Sequence, residues 1–390
     1  LILKVRDGVA MQSQKDLGLY IHIPFCKAKC LYCDFNSFAC RDDFVPAYFN
    51  ALKKEICLYS DIIKGHRIKT VFIGGGTPSY VGAHNIYEIV SLLKQRFDMD
   101  SCFELTIEAN PGTMDLEKLS VYRNAGINRL SIGLQAWQNH LLKNLGRIHT
   151  VEQFEENYHL AVKAGFDNIN VDLIFAIPGQ SFENWEETVN KVAKLNPRHI
   201  SCYSLIIEEG TVFGTRFLEG ELTPVEDELD RKMYWYAVEK LKTMGYKHYE
   251  ISNFSKEGFE CAHNLTYWKE REYIGIGASA HSYFNGQRFN NTYNIEEYVK
   301  ILNSDRLPVE NQITVERKDE ISEFMMLGLR LVDGVNVREF KERFGEDVLE
   351  VFKGQIESLL KRGLIKIEKG FIKLTELGFD LANQAFMEFL

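Results

Sequence analysis

At 390 residues the chain is long enough to bury a large core and is expected to form one big domain with one or two smaller ones. With 46 basic against 55 acidic residues its formal charge is −9, which gives no electrostatic footprint for nucleic acid. Eight cysteines make no disulfide framework in a chain this long and point to a reducing compartment.

No apolar stretch approaches the length of a membrane span and the N-terminus lacks a cleavable-signal pattern, so a cytoplasmic protein is expected. Residues 1–10 precede Met11 and read as an upstream extension or a cloning remnant. The apolar run Leu17 to Ile23 then reads as a buried strand that delivers Cys26, Cys30 and Cys33 to a loop. Three thiolates this close can wrap one face of a four-iron cluster, leaving one iron open for a substrate or cosubstrate. The blander alternatives are a zinc site short of a ligand, or thiols packed as small hydrophobes. A zinc ribbon wants a second cysteine pair at similar spacing, whereas Cys40, Cys57, Cys102, Cys202 and Cys261 are scattered singly.

Helical spacing over Asp43 to Tyr59 is followed by a β-branched run, Thr70 to Ile73, that enters Gly74-Gly-Gly-Thr-Pro-Ser79. Glycines after a strand let backbone groups approach a ligand with no Cβ in the way, although a tight turn would need them too. Strands Cys102 to Glu108, Arg129 to Gly133, Asn168 to Phe175 and His199 to Leu205 then alternate with helical segments as far as Leu195. Such alternation predicts parallel βα units in an α/β barrel or a doubly wound sheet.

Glu108, Gln135 and Asp172 fall at or near successive strand ends, as do Gly75 to Thr77. A barrel gathers such ends around one mouth, whereas a dinucleotide-binding sheet needs glycines in its first turn, where this chain has cysteines. Each of these side chains, and Arg147, has a plain structural reading as a rim charge or loop cap. Their convergence with a metal loop is the feature that points to chemistry.

Beyond Leu205 a long helix spans Val225 to Met244, and Tyr249 to Phe254 is extended. Cys261-Ala-His-Asn-Leu-Thr-Tyr-Trp268 and the small-residue stretch Tyr273 to Tyr283 follow. From Asp319 the pattern is short helices, a hairpin over Leu364 to Leu374 and a helix from Glu376 to Phe389, which resembles a winged-helix module. The acidic balance disfavours DNA, so a lid or docking role is expected of it.

The Cys-x3-Cys-x2-Cys loop, Gly-Gly-Gly-Thr-Pro and the Glu-Ala-Asn-Pro turn together resemble the radical S-adenosylmethionine superfamily. Tyr-Ile-His-Ile-Pro-Phe, Ser-Ile-Gly-Leu-Gln-Ala, Leu-Gly-Arg-Ile-His and Asn-Val-Asp-Leu-Ile-Phe-Ala-Ile-Pro-Gly-Gln extend the likeness to its coproporphyrinogen III oxidase-like branch. The resemblance implies an α/β fold, a partial (β/α)6 barrel, with a [4Fe-4S] cluster on Cys26, Cys30 and Cys33. By position, Tyr20, Gly75, Gly76, Thr77, Glu108, Gln135, Arg147 and Asp172 would contact S-adenosylmethionine, with Arg147 pairing its carboxylate. The cluster and cosubstrate together would supply radical chemistry.

Two features choose within the branch. Its authentic oxidase is expected to carry a further cysteine two residues after the third cluster ligand, where this chain has Phe35. Its haem chaperones carry His-Asn-x-x-Tyr-Trp, matched by His263, Asn264, Tyr267 and Trp268. The resemblance therefore implies haem contact near His263, with Asn264 orienting the imidazole and the rings packing on the macrocycle. The alternative is oxygen-independent oxidative decarboxylation of coproporphyrinogen III to protoporphyrinogen IX. Expected partners are haem and a haem-accepting protein such as a respiratory enzyme, with a homodimer possible and membrane association only through a partner. The implied divisions are an extension over 1–16, the barrel over 17–206, a linker and haem-contact region over 207–318, and a C-terminal domain over 319–390.

Overall fold

The computed structural model describes residues 15–390, so the expected extension lies outside the described residues except for its last two. The strands that build the barrel wall are β1 (Asp16–Ile23), β2 (Arg67–Gly75), β3 (Glu104–Ala109), β4 (Arg129–Gln135), β5 (Asn168–Phe175) and β6 (His199–Ser204). Each pairs in parallel with the next in sequence order. Helices α1 (Val45–Ile62), α2 (Ala83–Arg96), α3 (Leu116–Ala125), α4 (Val151–Lys163) and α5 (Phe182–Leu195) fill the crossovers. The partial α/β barrel that the family resemblance implies is therefore the observed fold.

Period-two alternation sets the two faces of each strand. Leu19, Ile21 and Ile23 of β1, Val71 and Ile73 of β2, and Leu130 and Ile132 of β4 are fully buried in one apolar cluster with the helices. Each such side chain contributes about 1.5–3 kcal/mol. Tyr20 and His22, on the opposite face of β1, line a cavity instead. Helix starts are set locally: Thr150 with Gln153 and Ser181 with Asn184 form capping boxes at α4 and α5.

Residues beyond the sixth strand extend the same sheet at both edges. On one side β7 (Lys247–Glu250) and β8 (Asn253–Ser255) run antiparallel beside β6. On the other, β9 (Tyr273–Ile276) is a seventh parallel strand against β1, continued antiparallel by β10 (His281–Phe284), β11 (Gln287–Asn291) and β12 (Val309–Thr314). The sheet has twelve strands with two free edges, so it does not close.

The C-terminal part has its own core around Phe324, Met325, Phe340, Phe344, Phe352 and Leu359. A short strand, Val335–Asn336, joins the expected hairpin to make a three-stranded antiparallel sheet. The helix expected from Glu376 to Phe389 is broken at Leu381, with φ near −115°, and the helical stretch Val348 to Lys361 is likewise broken at Phe352, with φ near −112°. No helix among the described residues is long and apolar enough to cross a membrane.

Candidate functional site

The cysteine loop leaves β1 at Pro24 and is closed by a two-residue parallel bridge, Phe25–Cys26 against Phe38–Ala39. Within it Cys33 N–H donates to the Cys30 carbonyl at 3.3 Å, and Leu31 N–H donates to the Leu145 carbonyl at 3.0 Å. Gly146, at φ +76°, faces Leu31 closely enough that a Cβ would sit 2.8 Å from Leu31 Cγ. Glycine is needed there so that the loop can dock.

The glycine run after β2 approaches the same loop from below. Gly76 N–H donates to Ile23 and Thr77 N–H to Phe25, at 2.8 and 2.9 Å. A Cβ on Gly76 would fall 2.8 Å from the Phe25 carbonyl and 3.0 Å from Cys26 Sγ. Gly75, at φ +118°, lies against the His22 ring, and its N–H donates to Glu108 Oε2 at 3.0 Å. Both glycines therefore have a geometric reason beyond a tight turn.

A ring of hydrogen bonds joins two of the cysteines. Thr77 Oγ1 donates to Cys26 Sγ at 3.5 Å, and Asn110 Nδ2 donates to Thr77 Oγ1 at 2.9 Å. Arg147 Nη2 donates to Asn110 Oδ1 at 2.6 Å and to the Gly133 carbonyl at 2.7 Å, while Nη1 reaches Cys30 Sγ at 3.5 Å. Asn110 is absent from the residues expected of the site, although it stands in the Glu-Ala-Asn-Pro turn that carries the family resemblance. Arg147, expected to pair a cosubstrate carboxylate, has both terminal nitrogens bonded within the protein.

Burial pushes the Cys26 and Cys33 thiols up, and charge on Cys30 adds to both. Thiolates at this spacing repel one another and need a cationic centre to be held together. Three free cysteine thiols carried on one short loop are the soft donor set that an iron–sulfur cluster takes.

The acids are deeper in the mouth. Glu108 is pushed up to about 8 by burial and then by Asp172, against donation from Gly75 N–H. Asp172 is held by Ser131 Oγ at 2.9 Å and by Asn170 Nδ2 at 2.9 Å. Gln135 sits just past a bulge in β4 with φ +74°, which turns it out of strand register.

Tyr20, Gly75 and Glu108 line a cavity of about 520 Å³. The rest of its wall is aromatic and mixed-polar, with Phe35, Tyr267, Trp268, Tyr283, His281 and Tyr293 on it. His263 is not on that wall. It is fully buried, stacked on Phe72 at 5.4 Å, with Nδ1 bonded to Thr70 Oγ1 at 2.9 Å and Nε2 to the Tyr267 hydroxyl at 2.8 Å. Burial lowers its pKa to about 3. Thr70 and Tyr267, and not Asn264, orient the imidazole. The helix carrying it, Ala262–Trp268, is capped by the Glu104 carboxylate, which accepts from Ala262 and His263 N–H at 2.9 Å each. Trp268 lies under the Arg330 guanidinium at 4.4 Å.

Comparison with known proteins agrees with this arrangement. Residues 20–192 match the radical SAM superfamily and residues 315–381 the HemN C-terminal domain. The heme chaperone HemW of Lactococcus lactis is 37% identical, covering 97% of this chain and 98% of its own. The Bacillus subtilis protein of the same name is 36% identical, covering 95% and 98%. Escherichia coli coproporphyrinogen III oxidase, HemN, superposes with a TM-score of 0.85 at 23% identity over 97% of this chain and 91% of that one, a likeness of fold. Membership of the superfamily implies a [4Fe-4S] cluster and S-adenosylmethionine. By the extent and identity of these matches, the chain belongs to the radical SAM superfamily and, within its coproporphyrinogen III oxidase-like branch, to the HemW family.

Proposed function

We propose that this chain is a haem chaperone that binds haem against the aromatic wall of the cavity and passes it to a haem-requiring partner protein. Cys26, Cys30 and Cys33 hold a [4Fe-4S] cluster in this reading. Tyr20, Gly75, Gly76, Thr77, Glu108, Gln135 and Asp172 surround S-adenosylmethionine, and Arg147 acts by fixing the cysteine loop. The cluster and cosubstrate supply one-electron chemistry when bound. The protein's own part is to position the loop, exclude water through Tyr20 and the glycine turn, and keep Glu108 protonated near neutrality.

Phe35 is the observation that carries the reading. It is 62% exposed on the cavity wall, at the position where the oxidase is expected to present a thiol. An exposed ring there can pack on a macrocycle but can neither give nor take a proton. The names of the relatives point the same way. Tyr267 and Trp268 line the cavity as macrocycle contacts, whereas His263 serves to hold Tyr267 in place.

The test is anaerobic. Reconstituted protein is expected to give a Soret band on adding haem, to hand haem to an apo-acceptor, and to form no protoporphyrinogen from coproporphyrinogen III. Robust turnover without haem transfer would reverse the reading in favour of the oxidase.

A further inference from the structure

The exposed residues of the cavity wall have more specific chemistry than its aromatic lining. Phe35 and Tyr293 are 62% and 49% exposed and flank the same opening, so a large apolar surface is left bare beside polar groups. Such a surface marks a binding site more often than chance exposure. The two are stitched together, because Asn36 Nδ2 donates to the Tyr293 carbonyl at 3.0 Å. A rigid aromatic rim thus begins two residues after Cys33.

Among the described residues two of the wall's side chains, His281 and Arg271, are left without strong partners. His22 has both ring nitrogens engaged, by the Tyr20 hydroxyl at 3.0 Å and the Asn36 carbonyl at 2.9 Å. His281 differs. It is exposed at the start of β10, and its one polar contact among the described residues joins Nε2 to the Tyr293 hydroxyl at 3.4 Å. Whichever tautomer it adopts, Nδ1 is open. Its place is fixed by Gly275, where any Cβ would collide with the His281 carbonyl. Burial lowers its pKa, which favours the neutral imidazole that ligates iron.

The cations divide in the same way. Arg288 lines the wall but is paired with Glu323. Arg271 also lines it, is exposed, and has no acid within ion-pair distance among the described residues. In a chain of net charge −9, an unpaired guanidinium at an apolar opening is matched to a carboxylate.

We infer that His281 is the side chain that contacts haem iron and that Arg271 pairs a haem propionate, with Phe35 and Tyr293 against the macrocycle. This assignment rests on the haem-chaperone reading and refines it. A flat apolar ring, a metal wanting nitrogen and two carboxylates meet an aromatic slot, an open imidazole and a free guanidinium. The ligand is presented at an exposed rim, where an acceptor's own ligand can replace it.

Three ligands test this: ferric haem, metal-free protoporphyrin IX and its dimethyl ester. His281→Ala is expected to lose the imidazole-type visible and EPR signature and to bind haem about tenfold more weakly, with metal-free protoporphyrin unaffected. Added imidazole should restore the signature. Arg271→Gln is expected to weaken haem and protoporphyrin by about tenfold and to leave the dimethyl ester unchanged. Wild-type protein that binds haem while His281→Ala keeps both signature and affinity would overturn the iron assignment and leave the chaperone reading standing. An unchanged Arg271→Gln would overturn the propionate assignment. A wild-type protein that binds no haem would overturn the chaperone reading itself, and the assignment with it.

Discussion

Arg147 Nη1 lies 3.5 Å from Cys30 Sγ, and the same guanidinium ties the ends of β3 and β4 together through Asn110 and Gly133. It is therefore both a structural clamp and a positive charge beside a cluster ligand. Removing it in Arg147→Met leaves two carbonyl acceptors without a donor, at a cost of about 2–4 kcal/mol. A reduced cluster carries more negative charge than an oxidised one, so loss of a charge-assisted bond to sulfur should lower its potential. A difference of about 1.4 kcal/mol in that bond between the two redox states would appear as roughly 60 mV for one electron. Spectroelectrochemistry of the reconstituted variant reads this directly, and an unchanged potential would place Arg147 away from the cluster.

Cys30 itself is half-buried and, among the described residues, its sulfur accepts only from Arg147, so Cys30→Ala should abolish the visible cluster absorbance while leaving far-UV circular dichroism unchanged. Cys26 is buried against Gly76 and Thr77, so its alanine variant should also lose stability, by about 1–2 kcal/mol. If Cys30→Ala keeps its absorbance, the ligand set is wrong.

Gly75→Ala tests the glycine turn. The new methyl would need to occupy space 2.5 Å from His22 Cε1 at φ +118°, so strain and collision add to about 2–4 kcal/mol. Gly65 provides the control. It has φ +88° with nothing within 4 Å of its absent Cβ, so Gly65→Ala should cost only about 1 kcal/mol. Equal urea midpoints for the two variants would remove the steric argument.

These positions show why some of the site was legible and some was not. The cysteine spacing, Gly74-Gly-Gly-Thr and the strand-end acids are contiguous in sequence, so local pattern reveals them. The alternation of β1 to β6 with helices is legible for the same reason. Strand β9 was hidden because Tyr273–Ile276 finds its partner, β1, more than 250 residues earlier, and pairing at that range leaves no local periodicity. His263 lies in the core, and an imidazole flanked by aromatics has the same local pattern whether it faces a ligand or a core. Only the distant Thr70 and Glu104 decide the matter. His281 gave no signal of its own, standing in a run of small residues whose importance is that Gly275 admits its carbonyl.

The buried state of His263 has a consequence for acid stability. Its pKa is lowered to about 3 when folded and returns to about 6.5 when unfolded, so the unfolded chain binds the extra proton between those values. The stability associated with the neutral ring is present above pH 6.5 and is lost as pH falls towards 3. His263→Gln should therefore lower stability at pH 7.5, yet give an acid limb shallower by about 1.4 kcal/mol per pH unit between 6.5 and 4. Urea titrations at half-unit pH steps measure both, and parallel acid limbs would show that the ring is not buried neutral.

Glu270 and Arg343 supply the last prediction, because they join the sheet body to the C-terminal part. Glu270 is almost wholly buried beside Trp268, and Arg343 Nη2 approaches its Oε2 at 3.1 Å without hydrogen-bond geometry, leaving both carboxylate oxygens unsatisfied. The same guanidinium also pairs Glu320 at 2.9 Å. Removing Arg343 takes the cation away from a buried acid, so Arg343→Met should cost about 3 kcal/mol above pH 8, where Glu270 is ionised, and Glu270→Gln in the same chain should recover most of it. Burial raises Glu270 to about 8, with Arg343 opposing and Glu320 and Glu323 reinforcing. A raised carboxyl contributes stability that is present below its ordinary value of about 4.5 and is lost as pH climbs to about 8. Glu270→Gln should therefore flatten the decline in stability from pH 5 to 8.5, and proteolysis of the C-terminal part should become less sensitive to pH over that span. Identical slopes in wild type and Glu270→Gln, or additive effects in the double variant, would mean that these two residues do not couple the sheet body to the C-terminal part.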